Sequence, residues 1–134
     1  MLDTNTVSDI VTGRSAAARA RLLALRDGEA VCVSAITEGE LRNGIAKLSH
    51  ASTRRLGMEA FLDHAHVLAW GRAEAQVYGL LRQKLRAIGT PLQPMDMLIA
   101  AHSIAAGAWL VTRDQAFSHV TDLRGIENWA FDVY

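Results

Sequence analysis

The sequence predicts an α/β domain of three layers, with helices on both faces of a mainly parallel sheet of four to five strands. Two observations lead there. Short, β-branched apolar runs alternate with longer stretches whose apolar residues recur at helical spacing, and strands alternating with helices require right-handed crossovers between parallel strands. Half of the 134 residues are hydrophobic, enough for one sizeable core in a chain too short for two, so a single domain over residues 1–134 is expected.

Met1-Leu2 is the stub of a first strand that ends at Asp3, and Val31-Cys32-Val33, Val67-Leu68 and Leu110-Val111 read as further strands. Between them, Leu41, Ile45 and Leu48 mark one helix face, and Met58, Phe61, Leu62 and Ala65 mark a second. A third face is formed by Val77, Leu80, Leu81, Leu85 and Ile88, and a fourth by Leu98, Ala101 and Ala105. Ser34 is suited to cap the helix after the second strand, Gly89 to stop the third helix, Pro91 and Pro94 to mark the next loop, and Gly107 to end the helix before Trp109. Cys32, the lone cysteine, has no partner for a disulfide or a thiolate zinc site and is assigned to the core. Trp70, Trp109 and Trp129, all beside strands, are assigned there too rather than to base stacking.

No apolar run approaches the ~18 residues needed to cross a bilayer, and the start lacks the basic-then-apolar pattern of a secretory signal, so a cytoplasmic location is expected. Fourteen basic and fourteen acidic residues cancel, which removes the global attraction that draws many proteins to nucleic acid. Any such contact has to be local. Basic residues cluster at Arg14, Arg19, Arg21 and Arg26, at Arg42, Lys47, Arg54 and Arg55, and at Arg82, Lys84 and Arg86, and read first as solvated helix faces.

The chemistry lies in the acids. Asp3 follows the first strand, Glu40 lies in the first turns of the helix after the second, Asp96 opens the helix after Pro94, and Asp114 follows Leu110-Val111-Thr112-Arg113. In a parallel sheet all four fall at the carboxyl edge of the strands, where function gathers. Each also has a structural explanation: Asp3 and Asp114 as N-caps, Asp96 at the positive end of a helix, and Glu40 within the capping-box pattern Thr37-Glu38-Gly39-Glu40. Together, however, four carboxylates at one edge repel one another unless a cation neutralises them. An oxygen-only donor set suits Mg²⁺ or Mn²⁺, one or two ions, over Zn²⁺. Such ions activate water for phosphodiester hydrolysis.

Leu2-Asp3-Thr4-Asn5, Ser34-Ala35-Ile36-Thr37 with Glu40-Leu41-Arg42-Asn43-Gly44, Met95-Asp96-Met97-Leu98-Ile99-Ala100-Ala101-His102, and Leu110-Val111-Thr112-Arg113-Asp114 resemble PIN-domain proteins, specifically the VapC toxins of bacterial toxin-antitoxin pairs. The resemblance spans nearly the whole chain, including Gly89-Thr90-Pro91 and Ile126-Glu127-Asn128-Trp129. It implies an endoribonuclease that slows translation by cutting RNA, and a VapB-like antitoxin that blocks the site and carries the complex to operator DNA. It further implies a homodimer, with the helices around Met58–Ala65 and Val77–Leu85 forming the dimer surface and a groove for the antitoxin. Asp3, Glu40 and Asp96 match the family's metal-binding acids, Asp114 its more variable fourth, and Asn5 a polar position that orients Asp3 or a metal-bound water. Thr112 is expected to support the site in the same way.

The chain departs from the family pattern twice. Only Met1 and Leu2 precede Asp3, where relatives carry several apolar residues, which predicts weaker anchoring of Asp3 and is compatible with residues before Met1. Met95 stands where many relatives are polar, with an expected effect on metal hydration or substrate fit. His50, His64, His66, His102 and His119 lack zinc-binding spacing and are read as structural or solvated, with His102 six residues from Asp96 and off its face. Three other functions fit the acids less well. A haloacid-dehalogenase-type phosphatase needs a second acid where Asn5 stands, and a receiver module needs paired acids at the first strand and a lysine after the last. A PIN domain that binds its partner and DNA without turnover is disfavoured by the intact acid set.

Overall fold

The structure, a computed structural model, describes residues 1–130, so the last four residues of the expected domain lie outside the described part. Helix α1 (Thr4–Thr12) begins directly after the first extended residues because the Asp3 carboxylate accepts the Thr6 N–H at 2.8 Å. It stops at Gly13, whose φ of 72° is the left-handed conformation that closes a helix. Helix α2 (Ala16–Leu23) is capped by Ser15. Strand β1 (Cys32–Ser34) runs without a break into α3 (Ala35–Ala46), with Ser34 Oγ accepting the Ile36 N–H. Then follow α4 (Thr53–His64), β2 (His66–Leu68), α5 (Arg72–Ala87), α6 (Pro94–Ala105), β3 (Leu110–Val111), a 3-10 turn (Gln115–His119) and β4 (Ile126–Glu127).

Leu2 joins the strands into one surface by bridging in parallel to Val33 on one side and Val111 on the other. With β1 paired to β2 and β3 to β4, the order is β2-β1-Leu2-β3-β4, all parallel. The expected short anchor of Asp3 is tied on both sides: Leu2 N–H donates to Cys32, Val111 N–H to Met1, and Asp3 N–H to Val111. One core gathers Leu2, Val7, Ile10, Val33, Leu41, Ile45, Met58, Leu62 and Val111 beneath the first four helices. The other gathers Leu81, Leu85, Met97, Ile99, Leu110 and Phe117 beneath α5 and α6. Adjacent Leu110 and Val111 belong to opposite cores, as alternation along a strand requires, and the layers are those expected.

Several expectations need correction. Helices α1 and α2 and strand β4 were not foreseen. Val7, Ile10 and Val11 give α1 barely two turns of period, α2 is an alanine–arginine segment that buries only Ala18, and β4 is two residues long. The Thr37–Glu40 capping box does not form, because Ser34 already caps α3 and Thr37 is buried inside it without a partner for its hydroxyl. Cys32 is only partly buried. Trp129 is core, but Trp109 is 47 % exposed, its ring lying over Gly125 so closely that no Cβ would fit there. Gly89 and Gly107 end their helices with φ of 74° and 61°, as expected. No helix among the described residues is long and apolar enough to cross a membrane.

His102 belongs to the core: it is 1 % exposed, with Nδ1 2.7 Å from Ser34 Oγ, so it locks α6 to the β1–α3 junction. Burial pushes its imidazole below the ordinary range, against the weaker pull of Glu74. A lowered histidine favours the neutral folded form, so its contribution is complete above the unfolded value of 6.5 and is lost as pH falls through the folded one. The midpoint of urea unfolding is therefore expected to drop as pH falls below the unfolded value of 6.5, and His102→Gln to flatten that drop. Equal slopes in parent and variant would assign the effect elsewhere.

Candidate active site

Because all strands run the same way, the carboxyl ends of the central Leu2 bridge, β1 and β3 share one edge. Asp3 leaves the middle of it, 5 % exposed, one carboxylate oxygen held by the Thr6 N–H. Glu40 sits in the second turn of α3, where its Oε1 accepts the Thr4 hydroxyl at 2.6 Å. Asp96 lies in the first turn of α6, which Pro94 starts at no cost in hydrogen bonds. Asp114 caps the 3-10 turn, accepting the Ala116 N–H at 2.9 Å, and its own N–H donates to Thr112 Oγ1 at 3.0 Å.

The four acids share one field. Burial pushes the Asp96 carboxyl above the usual carboxylate range, and Asp114, Glu40 and Asp3 push it the same way, in that order, with no basic side chain opposing them. Among the described residues, no three His, Cys, Asp or Glu side chains are drawn together closely enough to cage an ion. Each of three acids is held by its own hydrogen bond: Asp3 to α1, Glu40 to Thr4 and Asp114 to its turn. A set of hard oxygen donors that repel one another and lack a basic counter-charge fits a divalent cation.

Thr112 is buried, with its backbone N–H bonded to Glu127 and its hydroxyl to the Asp114 N–H, so it fixes the turn that carries Asp114. Asn5 is exposed, and the hydrogen bonds to the Asp3 and Glu40 carboxylates come instead from the backbone N–H of Thr6 and the hydroxyl of Thr4. Thr4 was missed in the sequence, where its only signal is adjacency to Asp3 at a helix start. Asp9 was also passed over. It is a buried acid on α1 that pairs with Arg113 at 3.3 Å and Arg14 at 3.5 Å, tying the β3 exit to α1. Beside the acids, a cleft of about 580 Å³ runs between α3 and α6, lined by Thr4, Ile36, Glu40, Asn43, Met95 and Leu98. Met95 is half exposed at its wall. His102, bonded to Ser34, takes no part in the acid group.

The chain matches the PIN domain family over residues 1–123. It is 32% identical over 131 residues, 97% of each chain, to the tRNA(fMet)-specific endonuclease VapC of Shigella flexneri. Two solved structures share its fold over nearly their whole length. One is VapBC2 from Rickettsia felis bound to a DNA fragment from their promoter, with a TM-score of 0.87 and 28% identity over 96% of this chain and 97% of that one. The other is DNA-bound VapBC from Salmonella typhimurium, with a TM-score of 0.83 and 34% identity over 96% of each.

Proposed function

Because the chain belongs to the PIN-domain family, and within it to the VapC ribonucleases, we propose that this single domain is the toxin of a VapBC-type pair, an endoribonuclease dependent on Mg²⁺ or Mn²⁺ that stops translation by cutting RNA. The observation that carries the reading is the common field of Asp3, Glu40, Asp96 and Asp114. Those four carboxylates are the groups that would hold one or two ions. Bound there, a divalent ion supplies a water of lowered pKa and charge stabilisation on the phosphodiester. Burial and the neighbouring acids raise the proton affinity of the Asp96 carboxyl above its ordinary value. Thr4 keeps Glu40 turned toward Asp3's helix, and Thr112 keeps Asp114 at the edge of the sheet.

The partner follows from the relatives, whose solved structures are toxin–antitoxin complexes on DNA. A VapB-like antitoxin is the expected inhibitor, with operator DNA reached through it. Leu56 on α4, Leu80 on α5 and Ile88 just beyond it are exposed apolar residues suited to that partner and to a homodimer. The protein is proposed to act in the cytoplasm.

Chelation provides the direct test. Purified protein is expected to cut RNA with Mg²⁺ or Mn²⁺ and to lose at least ~100-fold of its rate in EDTA, with recovery on restoring the ion. Growth arrest on expression is expected to disappear with Glu40→Gln. Undiminished cutting in EDTA, or full toxicity of that variant, would rule the mechanism out.

Thr4→Val, which keeps the shape but removes the hydroxyl, is expected to lower kcat by about tenfold, the scale of one hydrogen bond to a charged group. Thr4→Ser should restore most of it. Unchanged kcat in the valine variant would show that Glu40 needs no such support.

A further inference from the structure

A second concave site lies on the opposite shoulder of α6. A cavity of about 330 Å³ between α5 and the start of α6 is lined by Tyr78, Arg82, Arg86, Leu92, Pro94 and Met97, among others, with no acidic residue in its wall. Its size is at the lower end of the ~300–1,000 Å³ of small-molecule sites, room for one nucleotide unit.

The walls are pre-arranged. Trp70 Nε1 donates to the Leu98 carbonyl of α6 at 3.0 Å. Tyr78 meets Trp70 edge to face, with ring centroids 6.2 Å apart at 75°. Arg82 lies 5.9 Å from the centre of the Tyr78 ring and donates to its hydroxyl at 2.7 Å. This ladder is fastened to the same helix that carries Asp96.

The wall of the groove carries two guanidinium groups and no carboxylate. Arg14, Arg21, Arg42, Arg55, Lys84 and Arg113 each pair with a carboxylate; Arg82 and Arg86, like Arg19, Arg26, Lys47, Arg54, Arg72 and Arg124, form no ion pair among the described residues, and these two share one cavity wall. Helix-end charge accounts for Arg86, and an i,i+4 contact for Arg82 with Tyr78. Neither explains why two unpaired guanidinium groups and a fixed aromatic ring line one cavity. Pro94 and Met97 flank Asp96 on α6, so the groove and the acids are separated by roughly one helix diameter, ~10 Å.

We propose that this groove is a subsite for the RNA strand, in which Arg82 and Arg86 neutralise phosphodiester groups and Tyr78 offers its ring to a base. The assignment rests on the ribonuclease reading above. It also places local attraction for a phosphodiester beside an acidic centre in a chain of zero net charge.

The test uses Arg82→Gln/Arg86→Gln, the corresponding double lysine variant, and Tyr78→Ala. Binding of a short fluorescein-labelled single-stranded RNA is followed by anisotropy against salt in an Asp96→Asn background, and cleavage is followed in the native background. The double glutamine variant is expected to raise KM about tenfold with kcat nearly unchanged, and to flatten the dependence of log K on log salt by about 1.4, or ~0.7 per phosphate. The lysine pair should retain the slope, and Tyr78→Ala should raise KM about fivefold or more with the slope intact. A double glutamine variant with the parent's KM and slope overturns the subsite and leaves the nuclease reading standing. A parent that neither binds nor cuts RNA brings down both. RNA binding equal to the parent's together with an altered oligomeric state would mark the groove as a contact between copies, which also overturns the proposal.

Discussion

Asp96→Asn is expected to abolish RNA cleavage, by ~100-fold or more, and yet to make the ion-free protein more stable than the parent. The two effects have one cause. Burial and the three other acids raise the Asp96 carboxyl above its ordinary 3.8, so the folded state binds that proton more tightly than the unfolded chain does. Stability then falls as pH rises from the unfolded value through the folded one, and at neutral pH the whole cost of the ionised group is present. Asparagine carries no charge and escapes that cost. The melting temperature in EDTA is thus expected to rise in the variant, whereas added Mg²⁺ or Mn²⁺ should raise the parent's more than the variant's. If Asp96 served only the positive end of α6, the substitution would lower stability with and without ions. A variant that melts below the parent in EDTA would therefore exclude Asp96 from a repelling ion site.

Leu2→Ala is expected to be the most damaging single truncation near the site. Leu2 is 0 % exposed, packs in the core with Val33 and Val111, and bridges the two halves of the sheet. Removing its side chain should cost roughly 2–5 kcal/mol from lost burial and the cavity left behind. In a domain of this size that lowers the melting temperature by on the order of 10 °C. Leu80→Ala, at 78 % exposure, is the control and should change stability by less than ~0.5 kcal/mol. Similar losses in both variants, read from denaturant unfolding, would mean that the sheet does not depend on its central residue.

Leu2 also illustrates why parts of this fold were legible and others not. The helices α3 to α6 announce themselves because three or more turns of apolar period have to face a core, whatever surrounds them. Strand β4 carries no such signal: Ile126 and Glu127 are held in register by the backbone of Leu110, Val111 and Thr112, so only the neighbour makes them a strand. Helix α1 was hidden for a related reason. Its start at Asp3 was read as a candidate cap, but the two turns that follow become stable by packing on α2, α3 and α4. Trp109 was placed in the core by residue type, and its exposure follows from its seat over Gly125, a contact between segments that sequence order does not reveal.

By itself, the sequence determined the layered α/β class, the helix ends at Ser34, Gly89 and Gly107, and four acids at positions following strands or opening helices. Those features depend on local rules of period, capping and turn chemistry, which neighbouring residues suffice to express. Tertiary structure alone decided that Thr4 holds Glu40, that Asp9 is diverted to Arg113, and that Tyr78 and Arg82 form a wall beside the helix of Asp96. These depend on distances between segments brought together by strand order, and a hydrogen bond or a charge interaction falls away within a few ångströms.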